Sequence, residues 1–308
     1  MNETDNETNC KFVSTRGIAK NCDVYPKPII PDTYRIDLRD YAKIKNNDVV
    51  YVITTTLLQF VKIILPQLEN NNIKIKLVTG SSDVGAPYEI SARTRTNLLE
   101  ILTKSHSIIH WFCQNYDSKE EILNIIPIPI GLDYHTLYQN GLNHEWGSYA
   151  TPVQQETILD SVENNSNDFE DRINKSFSFF HFFMLNRHDK DRHKAKYVLD
   201  NKQENDFMEK KMNRTETWKL CSQYKYIISP HGNGLDCHRT YEAMCLGCIP
   251  VVRSSSLDLL YKDMPIIILD KWDDFNIEEL NKRSISINKI SKEKIYLKYW
   301  VNLIHSCK

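Results

Sequence analysis

The sequence predicts an α/β fold in which two parallel-sheet domains face one cleft, and three observations predict it. At 308 residues the chain exceeds what one hydrophobic core usually organises, so two domains of roughly 150 residues are expected. In each half, apolar runs of strand length alternate with segments whose apolar residues recur at helical spacing, the rhythm of an open parallel sheet covered by helices. Between residues 148 and 175 apolar residues give way to Asn, Glu, Asp and Ser, and the alternation then restarts. With 41% hydrophobic and 10% aromatic residues, both halves have the means to build a core.

In the first half, residues 48–53 form an unbroken apolar run, followed by Leu57, Leu58, Val61, Ile64 and Leu65 at helical spacing. Residues 73–78 alternate as a strand and end in the polar loop 79–83. A short helix over 96–103, a strand over 107–112, the polar loop 114–117 and a helix over 118–124 follow. Residues 125–131 are apolar but broken by Pro127 and Pro129, which predicts an edge strand. The second half offers strands over 177–184, 226–229, 249–252 and 265–269, with a charged helix through Tyr197 and another over 217–223. Ile295, Leu297, Trp300, Val301 and Ile304 mark an amphipathic C-terminal helix. The predicted organisation is an N-terminal extension (1–40) opening on a disordered tail, a Rossmann-like domain (41–150), a connection (151–175) holding a helix near 153–162, a second Rossmann-like domain (176–272) and C-terminal helices (273–308).

Composition excludes several functions. Lys plus Arg number 39 against 40 Asp plus Glu, so no net field draws in a polyanion, and nucleic acid is not expected as a partner. No apolar run approaches the roughly 18 residues of a transmembrane segment, and the polar, acidic start lacks a secretory signal, so a cytoplasmic location is expected. The eight cysteines lie scattered and are expected to be reduced. Cys245 and Cys248, three apart in an apolar stretch, are expected to be small buried side chains instead of a redox or zinc pair. No metal site is expected: Asp189-Lys190-Asp191 matches D-x-D spacing but opens a charged helix, where a solvated first turn is the simpler account.

Residues 229–250 carry the chemistry, as strand, glycine loop, helix and strand. Gly232 and Gly234 let the backbone approach a ligand closely, and Asp236 is placed to cap the helix that follows. A helix start at the carboxyl end of a strand favours anions, through its free N–H groups and its dipole. Arg239 in the first turn adds a charged fork suited to a diphosphate, and His238 a further donor. Glu242, three residues on, projects beside Arg239 and suits the hydroxyls of a ribose. The plainer alternative is a glycine turn followed by an Arg239–Glu242 ion pair. Arg192 follows a strand in the same half, with Asn186, Arg187 and His188, and serves either as a phosphate contact or as part of a charged surface helix.

Residues 229–252 resemble the exostosin-like glycosyltransferases and their relatives encoded by large DNA viruses and some microbes; residues 77–83, 110–115 and 128–134 are similar in the same order. The resemblance implies a GT-B fold, a nucleoside-diphosphate sugar held by the second domain, inverting transfer, no obligatory metal and no cofactor beyond the sugar nucleotide as co-substrate. Uridine is the nucleoside it suggests, a glycan or glycoconjugate the acceptor, and the host cytoplasm the location if the chain is viral. It places Arg239 on the diphosphate, Glu242 on the ribose and the loop His231, Gly232, Asn233 and Gly234 beside sugar and phosphate, His231 being a departure from the family pattern. It also implies that the C-terminal helix packs back on the first domain.

An inverting transfer needs a base from the first domain, opposite the leaving diphosphate. Asp83, in the loop after a predicted parallel strand, is the first candidate, followed by Asp133 and His135. Tyr88, Trp111 and Asn115 are candidates for an acceptor subsite, with core packing an equal alternative for Trp111. The rival class is a non-catalytic nucleotide-sugar-binding module. A dehydrogenase fits less well, because Gly232-x-Gly234 lacks the third glycine of a dinucleotide fingerprint.

Overall fold

The computed structural model describes residues 7–139, 145–180, 182, 187–208 and 210–307. Asn186 and the end of the predicted 177–184 strand lie outside the described residues. Strands β1 (Val49–Ile53), β2 (Ile75–Gly80), β3 (Ile108–Gln114) and β4 (Ile125–Ile128) form one sheet in the order β1-β2-β3-β4, with every pairing parallel. Strands β5 (Ile173–Ser178), β6 (Asn205–Phe207), β7 (Tyr224–Ile228), β8 (Ile249–Arg253) and β9 (Ile267–Leu269) form a second, in the order β6-β5-β7-β8-β9, again all parallel. Two Rossmann-like sheets with their carboxyl ends toward one cleft are the expected GT-B arrangement. The proline-broken strand β4 is indeed an edge, as a strand that lacks a ladder donor at Pro127 has to be.

Period-two alternation explains why β1 is buried throughout. Val50 and Val52 join Leu77 and Trp111 in a core covered by helical residues such as Phe60, Leu65 and Leu102. Val49, Tyr51 and Ile53 point to the opposite face, where Phe12, Ile18, Leu297 and Trp300 cover them. That second face is therefore built from the two chain ends.

This is the main departure from the predicted organisation. Residues 10–24 are not an appendage. Val13 donates its N–H to Ile295 O and accepts from Leu132 N–H, Thr15 N–H donates to Ile130 O, and the Thr15–Lys20 helix is N-capped by Ser14. The Leu297–Ser306 helix packs on the Thr15–Lys20 helix and is tied to β2 by Lys76 Nζ donating to His305 O at 2.6 Å. The polar stretch 151–175 holds the Pro152–Asn164 helix, started by a capping box of Thr151 and Gln154. Its Glu156 accepts the backbone N–H groups of Lys11 and Phe12 and the Tyr134 hydroxyl, joining the N-terminal segment to the junction between the sheets.

Residues 118–124 do not form the expected helix. The Ser118 hydroxyl accepts from Glu120 N–H and donates to Glu120 O, a local competition that serine wins in so short a segment. The Tyr88–Thr94 helix and the three-residue edge strand β6 went unpredicted, while the Ile277–Ile287 helix falls in the 273–308 stretch expected to be helical. Among the described residues no helix is long and apolar enough to cross a membrane. All eight cysteines are free thiols, and Cys245 and Cys248 are both buried.

Candidate active site

The loops after β2, β3 and β4 meet the glycine loop after β7 through direct hydrogen bonds. Asn115, buried and with left-handed backbone, accepts Asp236 N–H on Oδ1 at 2.8 Å and donates Nδ2–H to Ser82 O at 2.8 Å. Asp236 in turn accepts Ile130 N–H at 2.9 Å and the hydroxyls of Tyr241 and Tyr261 at 2.7 and 2.8 Å. His238 donates Nδ1–H to Gly131 O at 2.7 Å, and Arg187 donates to the Glu89 carboxylate and to Asp83 O. Between the sheets these contacts frame a cavity of about 230 Å³, with Asp83 and Ile130 on one side and the 232–242 segment on the other.

Both glycines of the loop approach a side chain closely, Gly234 against the hydrogen-bonded Asn115 amide and Gly232 against the movable far end of Arg192. A Cβ on Gly234 would stand 2.9 Å from Asn115 Nδ2, and one on Gly232 would stand 2.8 Å from an Arg192 nitrogen. The loop is held from behind by Asp191, which accepts His231 N–H at 2.9 Å and Trp272 Nε1–H at 2.8 Å and pairs with Arg253. Asp191 is thus a buried scaffold group and not a solvated helix start, while its D-x-D partner Asp189 pairs with Lys194. His231 donates Nδ1–H to Leu235 O at 2.7 Å and stands behind the loop, outside the cavity wall. Asp236 is not the N-cap, which is Cys237 without a side-chain cap bond; Asp236 Oδ1 accepts the Cys237 N–H at 3.0 Å beside the Tyr261 hydroxyl.

Arg239, His238, Asn233 and Glu242 all line the cavity, as does Arg192. Arg239 Nε is buried without a hydrogen-bond partner, its nearest acceptor is Pro230 O at 3.4 Å from Nη1, and its guanidinium lies 5.2 Å over the Phe179 ring. Burial, reinforced by neighbouring Arg192, pushes its pKa down to about 10. A desolvated cation beside a second one is a place for an anion. The alternative Arg239–Glu242 ion pair is not formed; the cation nearest Glu242 is Arg214, whose Nε is 4.0 Å away. Phe179, Met208, Met212, Trp146 and Trp218 supply a soft, flat-sided wall to the same cavity, and Trp218 Nε1 is buried without a partner.

Of the three candidate bases only Asp83 lines this cavity. Burial raises its pKa and so does Asp32, against the lowering effects of His238, Arg187 and the Asn233 side chain. Asp133 is locked away from such a role. It is 4% exposed, paired with Arg214 at 2.9 Å and in contact with His135 Nδ1 at 2.8 Å, and although burial opposes ionisation, the Arg214 guanidinium and the His135 hydrogen bond hold its carboxylate well below the usual range. His135 has its Nδ1 committed to Asp133 and packs edge-on to His238, 6.0 Å between ring centres.

The acceptor candidates fare differently from expectation. Trp111 is 1% exposed, with Nε1 donating to Thr79 Oγ1 at 2.9 Å, and belongs to the first-domain core. Tyr88 is exposed on the first turn of the Tyr88–Thr94 helix and stands outside the cavity wall. Asn115 anchors the glycine loop instead of facing a ligand. Sequence inspection missed Arg214, whose guanidinium lies 5.0 Å over Trp146 and 5.8 Å over Trp218 while bonding Asp133 and Gln155. Its only local signal is the capping box of Asn213 and Glu216, which reports a helix start and nothing about a site.

No known protein family and no curated protein matches the sequence. Solved structures do. The α,α-trehalose 6-phosphate synthase of Burkholderia multivorans aligns with a TM-score of 0.41 at 9% identity, over 88% of this chain and 78% of its own. An α1,3-fucosyltransferase aligns with a TM-score of 0.34 at 11% identity, over 90% of this chain and 93% of its own. An α-glucosyltransferase solved with UDP-glucose and DNA containing an abasic site aligns with a TM-score of 0.34 at 10% identity, over 83% and 80%. These are likenesses of chain path and assign no residue.

Proposed function

We propose that the chain is a glycosyltransferase that moves a sugar from a nucleoside-diphosphate donor, UDP-linked, to a hydroxyl of a glycan or glycoconjugate, with inversion and without a metal ion. The observation that carries this is the desolvated Arg239, its Nε without a hydrogen-bond partner, at the start of the His238–Cys245 helix, next to Arg192 and the glycine loop, in a cavity with an aromatic wall. The helix start and the two guanidiniums take the diphosphate, Phe179 and Trp218 flank the base, and Glu242, steadied by Arg214, takes the ribose diol. Asp83 takes the proton of the acceptor hydroxyl while its oxygen bonds the anomeric carbon. The bond from that carbon to the diphosphate breaks, and its electron pair leaves with the nucleotide, neutralised by Arg239 and Arg192. Kinship with the exostosin-like enzymes rests on residues 229–252 and their order relative to the first-domain motifs.

The test is a thermal-shift panel of nucleoside diphosphates and sugar nucleotides, with and without EDTA, on the wild type and on Arg239→Ala and Glu242→Ala. A donor at about 100 times its Kd adds roughly 2.7 kcal/mol of stability. A nucleotide-selective, EDTA-insensitive shift that both variants lose is expected. No shift with any nucleotide refutes the proposal. Asp83→Asn separates an enzyme from a binding module, since it removes turnover and leaves donor affinity intact only in an enzyme.

A further inference from the structure

The loop that carries Asp83 is held by a residue from the stretch the sequence presents as an extension. Asp32 N–H donates to Ser81 O at 3.1 Å, and Asp32 Oδ1 accepts the Ser82 hydroxyl at 2.6 Å, so both residues preceding Asp83 are bonded to Asp32. The Ser82 hydroxyl oxygen also accepts Val84 N–H at 3.0 Å, on the other side of Asp83. Asp32 is itself fixed. Its backbone is left-handed at φ 53°, which aspartate and asparagine tolerate better than most residues, and Ile36 N–H and Tyr34 O are bonded to the Gln59 side chain. The groups that act on Asp83 come from both domains: the Asp32 carboxylate opposes its ionisation, while His238, Arg187 and the Asn233 amide favour it, Arg187 being paired with Glu89.

Resting on Asp83 as the proton acceptor, we infer that Asp32 is a positioning residue for it: Asp32 fixes the Ser81–Val84 backbone and sets a second carboxylate against the loop that carries Asp83. The charge opposes ionisation of Asp83 and so keeps it a stronger base than an isolated surface carboxylate. Arg187 and His238 pull the other way, and the balance between them sets where Asp83 titrates.

The test is a carboxyl carbon-13 NMR titration of aspartate-labelled protein, with the Asp83 signal assigned by its loss in Asp83→Asn. Asp32→Asn keeps the left-handed backbone and an oxygen for the Ser82 hydroxyl but removes the charge. It is expected to lower the Asp83 midpoint by about half a pH unit at low ionic strength and by less at 1 M salt. Ser82→Ala keeps the charge and frees the loop, so it is expected to move the midpoint less than Asp32→Asn does. An Asp83 midpoint unchanged in Asp32→Asn overturns the inference, whether or not the protein binds a nucleotide. A shifted midpoint in a protein that binds no sugar nucleotide would leave the coupling standing and sink the transferase proposal instead. In an active protein, release of UDP from UDP-glucose or a related donor should show its acidic limb at lower pH in Asp32→Asn, and a rate lowered equally at every pH would make Asp32 merely structural.

Discussion

One methyl group at Gly234 tests how tightly the donor loop is bound to the first domain. In Gly234→Ala the new Cβ meets Asn115 at 2.9 Å from Nδ2 and 3.0 Å from Oδ1, distances that real Cβ atoms do not tolerate. The Asn115 amide has no room to swing aside, because one end holds Asp236 N–H and the other Ser82 O. Overpacking of this kind costs about 1–3 kcal/mol. Asn115→Ala on its own strands the buried Asp236 N–H, at about 1–3 kcal/mol, while Ser82 O keeps the Gln114 Nε2–H donor at 3.3 Å. The double variant contains no clash, so its loss should fall short of the sum by roughly 0.5–3 kcal/mol. The assay is urea unfolding of the four proteins, supported by melting temperatures, which move by about 2–4 °C per kcal/mol in chains of this size. UDP affinity should fall in Gly234→Ala as the loop is pushed into the cavity. Strict additivity of the two substitutions, within about 0.5 kcal/mol, would refute the contact as the thing that sets the loop.

Three further outcomes follow from the same geometry. Arg239→Ala should weaken UDP binding about 10- to 150-fold by calorimetry, the worth of a charged hydrogen bond of about 1.5–3 kcal/mol, with Arg239→Lys recovering only part of it. Asp133→Asn removes the nearer of the two carboxylates on buried Arg214, leaving only Glu242 at 4.0 Å, and should cost up to about 3–5 kcal/mol. Because the folded protein holds the Asp133 carboxyl below its ordinary value, that stabilisation is present above the unfolded pKa and is lost as pH falls through the folded one, so the two melting temperatures should converge in strongly acidic buffer. Asp83 has the opposite sign: its raised folded pKa contributes stability at low pH that disappears as pH rises through that pKa. Asp83→Asn should therefore gain on the wild type in melting temperature on going from pH 4 to pH 8, while losing transfer.

Local periodicity made much of this protein legible. Strands β1, β2, β3, β7 and β8 are apolar runs whose neighbours repeat at helical spacing, and that pattern by itself specifies two parallel sheets. The glycine loop and Arg239 are equally local, since a helix start after a strand and a charge in its first turn lie within a dozen residues. What the sequence did not reveal was partnership at long range. Asp133 and Asp83 look alike as polar residues after first-domain strands, but Arg214, 81 positions away, neutralises one and leaves the other as the base candidate. Asn115 looks like a sugar-binding amide until Asp236, 121 positions on, occupies it, and Trp111 looks like a platform until both faces of its sheet are covered. Residues 10–24 read as an appendage because they are too short to show a period, and they become part of the junction only when Glu156 and residues 295–297 supply their hydrogen-bond partners. The hydrophobic pattern of a segment reports which face is buried. It says nothing of which distant backbone group or counter-charge meets a polar side chain there, and at this cleft those meetings separate scaffold from site.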